Sequence, residues 1–348
     1  MARRRVTSAA LALALVAGVT AWLVGFRAGA SGADQTNWSL AQLRAPEAWP
    51  VSTGQGVTIG IVDSGFDPNA PDLAGRLVAA ADCVGSHGDD TMCRPGAAPD
   101  LVGHGTIVAS VAGQVAPGAK FVAARAVSGK LGGDDDVSAA IDWVVDHGAQ
   151  VVNVSIAGVD SASVPLSPRM TDAVERAWSR GVLPVLAAGN TGGLSGYGNV
   201  DALVAGATTA DGTLAPYSAQ TTDVKWGVAA PGSVTMVLSS GLQILHEGTS
   251  VAAPNVAGAV ALLLGHGATR DNAVQELTST AVRCAGCGRG RIDVAAALGI
   301  PHPRPTIAPA TMPPPVHPHP APPPPEPALV VPDPNLLNQA PGLDALTS

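Results

Sequence analysis

Hydrophobic positions in this chain fall into short blocks separated by longer amphipathic stretches. Val57 to Val62, inside "GQGVTIGIVDSG", is a continuous apolar run rich in β-branched side chains, the pattern of a strand buried on both faces. Further strands are predicted in "KFVAARAV" at Lys120–Val127, in "AQVVNVSI" ending at Ile156, in "VLPVLAAGN" and in "ALVAGAT". Between them, one helix opens on Asp134–Asp136 and runs through "VSAAIDWVVDHG". A second starts at Ser167 and Pro168, a cap and a first-turn proline, and reaches Arg180 before Gly181. Strands alternating with helices of this length predict an α/β fold, with a mainly parallel central sheet covered by helices on both faces.

Both ends of the chain break the alternation. Arg3, Arg4 and Arg5 precede an apolar run from Val6 to Phe26, and small residues follow in "RAGASGA", Arg27–Ala33. This outlines an export signal over residues 1–33, with Ala28 and Ala30 suited to cleavage; about 20 apolar residues also reach the length of a retained membrane anchor. From 301 to 328 prolines occupy nearly every second position, which neither a helix nor a central strand survives. The expected organisation is therefore a body over 34–300 and a tail over 301–348, whose proline part would extend about 80 to 90 Å as polyproline II at roughly 3.1 Å per residue.

With 348 residues, 46% hydrophobic and 13% charged, the chain can bury one large core. Its net charge of −8 comes from scattered acids, and no basic stripe with interleaved aromatics exists, so no nucleic-acid partner is expected. Four cysteines fit an exported chain. They allow three connectivities, of which the local pairs Cys83 with Cys93 and Cys284 with Cys287 are favoured. A zinc site would call for a second C-x-x-C hairpin, and Asp134–Asp136 read as a helix start complementing the dipole rather than as a calcium loop; no metal is expected.

Four groups stand where the pattern puts strand ends or helix starts: Asp63 in "VDSG", His104 in "GHGTIVASVAG", Asn190 in "VLPVLAAGN" and Ser250 in "GTSVAAPNVAG". Each alone has an ordinary reading, as a turn residue, a structural histidine or a helix cap. Together they meet one chemical requirement. A hydroxyl needs a base to take its proton, the base needs an orienting carboxylate, and a tetrahedral intermediate needs a donor for its oxyanion. In open parallel sheets such groups gather beyond the carboxyl ends of the strands.

These four motifs, in the order Asp, His, Ser, resemble the signatures of the subtilases, the subtilisin-like serine proteases. The resemblance spans about Trp38 to Leu298 and implies a three-layer subtilisin-like fold. It makes Asp63 the orienting acid, His104 the general base and acid, Ser250 the nucleophile and Asn190 the oxyanion donor. It also implies that a peptide substrate is held as an added β-strand by Val127, Ser128 and Gly129 on one side and Ser155, Ile156, Ala157 and Gly158 on the other. Ala187, Ala188 and Gly189 would wall the primary specificity pocket. Two letters depart from the family's usual serine motif: Val251 stands where Met is common, and Asn255 where His is common. The hydrophobic N-terminal segment, the short stretch from Ser31 to Trp38 in place of a folded propeptide, the cysteine pairs and the proline-rich tail are similar to the mycosins. That branch implies membrane attachment and type VII secretion machinery as a partner, although its usual transmembrane helix after the prolines has no counterpart here.

The expectation is an exported serine endopeptidase that needs no cofactor and acts on protein or peptide. A non-catalytic peptide-binding or secretion-complex scaffold of the cell envelope is the alternative, and ester hydrolysis a lesser one. The stretch "EGTSVAAPNVAGAVALLL", Glu247 to Leu264, then reads as a nucleophile mounted on a buried helix. In that reading Pro254 falls in or near the first turn, where a missing N–H costs least.

Overall fold

The computed structural model describes residues 35–302 except 97, 130, 157–165 and 238–242. The N-terminal apolar run and the proline-rich tail lie outside the described residues. Helices α1 (Gln35–Leu43) and α2 (Ala45–Ala48) lead to strand β1 (Thr58–Asp63), followed by β2 (Leu77–Asp82), a 3-10 turn and the short β3 (Arg94–Pro95). Then come α3 (His104–Val115), β4 (Lys120–Arg125), α4 (Asp134–Asp146), β5 (Val151–Val154), α5 (Pro168–Ser179), β6 (Leu183–Ala187), β7 (Leu203–Thr208) and β8 (Gly227–Pro231). A ribbon of β9 (Ser233–Val237) and β10 (Gln243–Glu247) delivers the chain to α6 (Thr249–Gly265), and α7 (Arg270–Ser279) and α8 (Val294–Ala297) close the described body, which ends at His302.

The sheet has the order β3-β2-β4-β1-β5-β6-β7-β8 and is parallel except for the edge strand β3. Strand β1 lies between β4 and β5: the chain builds β2 to β4 on one side of it and then β5 to β8 on the other. A crevice at the carboxyl end of such a strand is where open α/β sheets place ligands. Side chains alternate along β1: Ile59 and Ile61 enter the core beneath α3 and α6, while Val62 joins the one beneath α4 and α5. By that period of two, Asp63 belongs to the α3 and α6 face.

Helix α6 is apolar all round and buried from Thr249 to Leu263, as a helix within a core must be. It lies so near α3 that a Cβ on Gly258 would come within 2.7 Å of Val115 Cβ and 2.9 Å of the Ala112 carbonyl oxygen. On the other face, a Cβ on Gly60 would meet Val144 of α4 at 2.8 Å. The C-terminal end of α3 is held by Arg76, which donates to the carbonyls of Gly113, Ala116 and Ala119, a cation placed where the helix dipole favours one. Arg44 joins the N-terminal helices to the end of the body through Asp293 and the Pro301 carbonyl.

Several expectations are met. Ser167 accepts from the Met170 amide as the cap of α5, and disulfides join Cys83 to Cys93 and Cys284 to Cys287, with Cα separations of 4.2 and 5.5 Å. Others need correction. Strands β4 and β5 stop at Arg125 and Val154, short of Val127 and Ile156; past β4 the Ala126 and Val127 amides both donate to the Asp63 carbonyl at the end of β1, and Ser128 turns back to pair with Leu131. Pro254 is the sixth residue of α6, in its second turn and not its first. Its missing N–H leaves the Ser250 carbonyl without a helical donor, and that carbonyl accepts instead from Ser155 Oγ at 3.1 Å.

The α3–α6 contact yields a test. Gly258→Val is expected to destabilise the fold by about 1–3 kcal/mol through overpacking, read as a lower urea midpoint at unchanged m-value. A midpoint equal to wild type would mean the helices can separate without cost.

Candidate active site

Asp63 ends β1 with only 1% of its side chain exposed. Its Oδ1 accepts from the Ser64 amide at 2.7 Å and from His104 Nδ1 at 2.7 Å. A carboxylate only accepts, so Nδ1 carries the proton and Nε2 of the neutral ring is left as a base. His104 is the first residue of α3, entered through Gly103 in a left-handed conformation (φ 88°). The following Gly105 lies over Gly65, where a Cβ would overlap the Gly65 carbonyl oxygen at 2.2 Å. Glycine at 105 therefore sets how near His104 sits to Asp63. Burial opposes a charge on His104, but the charge and hydrogen bond of Asp63, helped by Asp100, outweigh it and raise the imidazole pKa above its usual value.

His246 of β10 meets His104 edge-on, with ring centroids 5.2 Å apart. Burial and the neighbouring His104 push its pKa down to about 4, so it stays neutral and packs against the His104 ring.

Ser250 is the second residue of α6, after the cap Gly248 and Thr249. Asn190, just past the end of β6, is oriented by Thr249, whose amide and hydroxyl both donate to Asn190 Oδ1, at 2.8 and 3.0 Å. With the oxygen so engaged, the amide nitrogen Nδ2 faces the serine. A Cβ on Gly248 would lie 2.9 Å from Ser250 Oγ and 3.4 Å from Asn190 Nδ2, so glycine leaves open the space between hydroxyl and amide. Ser250 and His104 are not hydrogen-bonded to each other among the described contacts. Such bonds are often long in unliganded sites and tighten on substrate binding.

The backbone of Ser250 is anchored from β5. Asn153 Nδ2 donates to Ser155 Oγ at 2.8 Å, and that hydroxyl donates to the Ser250 carbonyl freed by Pro254. Asn255 Nδ2 donates to the Pro231 carbonyl at 2.9 Å and the Val251 carbonyl at 3.1 Å, pinning α6 to the end of β8. The letter that departs from the usual serine motif thus has a packing role.

Of the residues expected to hold substrate, Ser128 engages both its backbone groups with Leu131, the Val127 amide donates to the Asp63 carbonyl at 3.4 Å, and Gly129 is exposed. Ser155 directs its side chain at the Ser250 carbonyl, and Ile156 follows it half-buried. Ala157 and Gly158 lie outside the described residues. Ala187, Ala188 and Gly189 form a buried wall whose polar groups are taken by Tyr197, Ala205, Thr249 and Ala219. His246 and Asn153 escaped the sequence reading, since nothing local marks a strand histidine or asparagine as a neighbour of residues far along the chain.

The sequence profile of the subtilase family matches residues 54–298, about seven-tenths of the chain. The chain belongs to the subtilase family. This subtilase is 31% identical to thermitase of Thermoactinomyces vulgaris over 273 residues, 72% of this chain and 92% of thermitase. Subtilisin E of Bacillus subtilis (strain 168) is 29% identical over 288 residues, 76% of this chain and 71% of that protein. Among solved structures, a protease from Pseudoalteromonas arctica PAMC 21717 superposes with a TM-score of 0.60 at 26% identity, over 74% of this chain and 93% of its own. A lanthipeptide protease shares the fold, with a TM-score of 0.66 at 20% identity, over 76% and 94% of the two chains. The α/β three-layer architecture and the serine-type endopeptidase class both stand on these relationships.

Gly248→Ala should lower kcat about 100-fold, because a methyl group would displace Ser250 Oγ and crowd the Asn190 amide. The measurement is turnover of a chromogenic peptide beside a thermal melt. Wild-type kcat in the folded variant would show that the gap at residue 248 is not used.

Proposed function

We propose that this subtilase is an exported endopeptidase that cuts peptide bonds through an acyl-enzyme on Ser250. The observation carrying this reading is the buried Asp63–His104 hydrogen bond, on the same sheet face as a serine at a helix start with an asparagine amide turned towards it. Ser250 Oγ attacks the scissile carbonyl carbon while His104 Nε2 takes its proton. Asp63, fixed on Nδ1, stabilises the imidazolium. The carbonyl oxygen becomes an oxyanion received by Asn190 Nδ2 and by the Ser250 amide, one of the donors an α-helix leaves unpaired at its start. His104 returns the proton to the departing amine. Water then attacks the acyl carbon, with His104 again as base, and the serine is regenerated.

Substrate backbone would lie as an added strand between Val127 and Gly129 on one side and Ile156, Ala157 and Gly158 on the other, with Ala187–Gly189 against the side chain before the cut. Residues 34–300 are read as the catalytic domain. Export is supported by the N-terminal apolar run behind three arginines, by two disulfides, which persist in oxidising compartments, and by the likeness to a relative named minor extracellular protease Epr.

Ser250→Ala is expected to abolish cleavage of a denatured protein substrate and labelling by a fluorophosphonate. Equal labelling of variant and wild type would remove Ser250 from the chemistry. Asn190→Ala should reduce kcat roughly 10²–10³-fold with KM little changed.

The base works only when neutral, so kcat/KM must fall as pH drops through the free enzyme's His104 pKa. Since that pKa is raised, the acid limb should lie above about pH 6.5, the ordinary histidine value. A profile flat down to pH 5 would take His104 out of the base's role.

A further inference from the structure

Asp100, in the loop before α3, accepts five hydrogen bonds, and none comes from a residue given a catalytic role above. Its Oδ1 receives Ser64 Oγ at 2.8 Å, the Val102 amide at 3.2 Å and the Gly103 amide at 2.7 Å. Its Oδ2 receives the Thr106 amide at 2.8 Å and the Thr106 hydroxyl at 2.7 Å. Every partner donates, so only the ionised carboxylate satisfies the set. Burial pushes its pKa up, but the bonds from Thr106, Gly103 and Ser64 prevail and hold it below the usual carboxylate value.

The placement of these donors is specific to the histidine turn. Gly103 precedes His104, and Thr106 follows it by two residues. Gly105, between them, donates its amide to Ser64 Oγ at 3.0 Å. Ser64 is also the residue whose amide holds Asp63 Oδ1. The backbone on both sides of His104 is therefore bound, directly or through one serine, to Asp100, and the same serine ties that assembly to the orienting aspartate.

We propose that Asp100 is a positioning residue of this subtilase: a second buried carboxylate that fixes the His104 turn against Asp63 and adds its negative charge to the stabilisation of the imidazolium. Other titratable groups do not duplicate it. Asp63 from β1 and His246 from β10 face the ring. Asp72 binds Ser110 and Gln114 further along α3, and Arg76 serves the carbonyls at the far end of that helix. The inference rests on the assignment of His104 as base and of Ser250 as nucleophile.

The test compares wild type, Asp100→Asn and Ser64→Ala on a small ester and on a peptide. In Asp100→Asn either amide orientation sets an NH2 group against donors, and the charge is gone. Its kcat should fall about tenfold or more, with KM within about twofold. Loss of a nearby negative charge lowers the His104 pKa, so the acid limb should move to lower pH by about half a unit. Ser64→Ala keeps the charge and removes the bridge; its kcat should fall several-fold while the acid limb stays where wild type has it.

A folded Asp100→Asn enzyme whose acid limb coincides with wild type overturns the proposal, even if it melts earlier. Should Asp100→Asn not fold, Ser64→Ala decides: a lower kcat at constant KM supports the proposal, and wild-type kcat overturns it. A wild-type profile with no acid limb, or an active Ser250→Ala enzyme, would instead refute the underlying triad assignment.

Discussion

Everything at the active site depends on how near helix α6 can lie to α3 and to the sheet. A helix buried on all sides has no solvent-facing stripe along which to slide, so its position is set by steric contact. Gly258 against Val115 and Ala112 determines that contact at one point, and Gly105 over Gly65 does the same for the start of α3. Because His104 begins one of these helices and Ser250 the other, the packing that excludes water from the core also sets where both residues stand. Interiors packed at this density transmit small displacements, and a helix start is no exception.

Polar groups then refine what packing sets. Pro254 breaks the hydrogen-bond ladder of α6 at the Ser250 carbonyl, and Ser155, just past β5, answers with its hydroxyl, backed by Asn153. Thr249 orients Asn190 by taking its oxygen, so the amide nitrogen has one direction left. On the histidine side, Ser64 and Asp100 hold the turn. These residues stabilise a geometry more than a fold. They hold His104, Asn190 and Ser250 in set orientations, and groups ordered in advance need no rearrangement at the moment of reaction.

Histidine chemistry is tuned by the same arrangement. Two imidazoles meet edge to face, and burial treats them differently: His104 has carboxylates to offset it and His246 has too little to do so. The charged form of the first is favoured, while the second stays neutral. Two histidines in contact are thus driven in opposite directions by their surroundings alone.

Local pattern determined much about this protein. The run from Thr58 to Val62 dictates a buried strand, Ser167 and Pro168 dictate a helix start, and the motifs around Asp63, His104, Asn190 and Ser250 stand in the order that resembles the family's signatures, because each rests on the period, caps and residue types of a few neighbouring positions. The place of Pro254 could not be read in that way. Where α6 begins is decided by β10 and the Asn190–Thr249 contact, and a proline in the second turn is tolerable only because Ser155, distant in sequence, supplies the missing donor. The roles of Asn255, His246 and Asp100 were likewise invisible, since a side chain's partners across a sheet or between helices follow from the topology around β1 and leave no periodic trace in the chain. Sequence determined which groups are present and in what order; tertiary packing decided which of them meet.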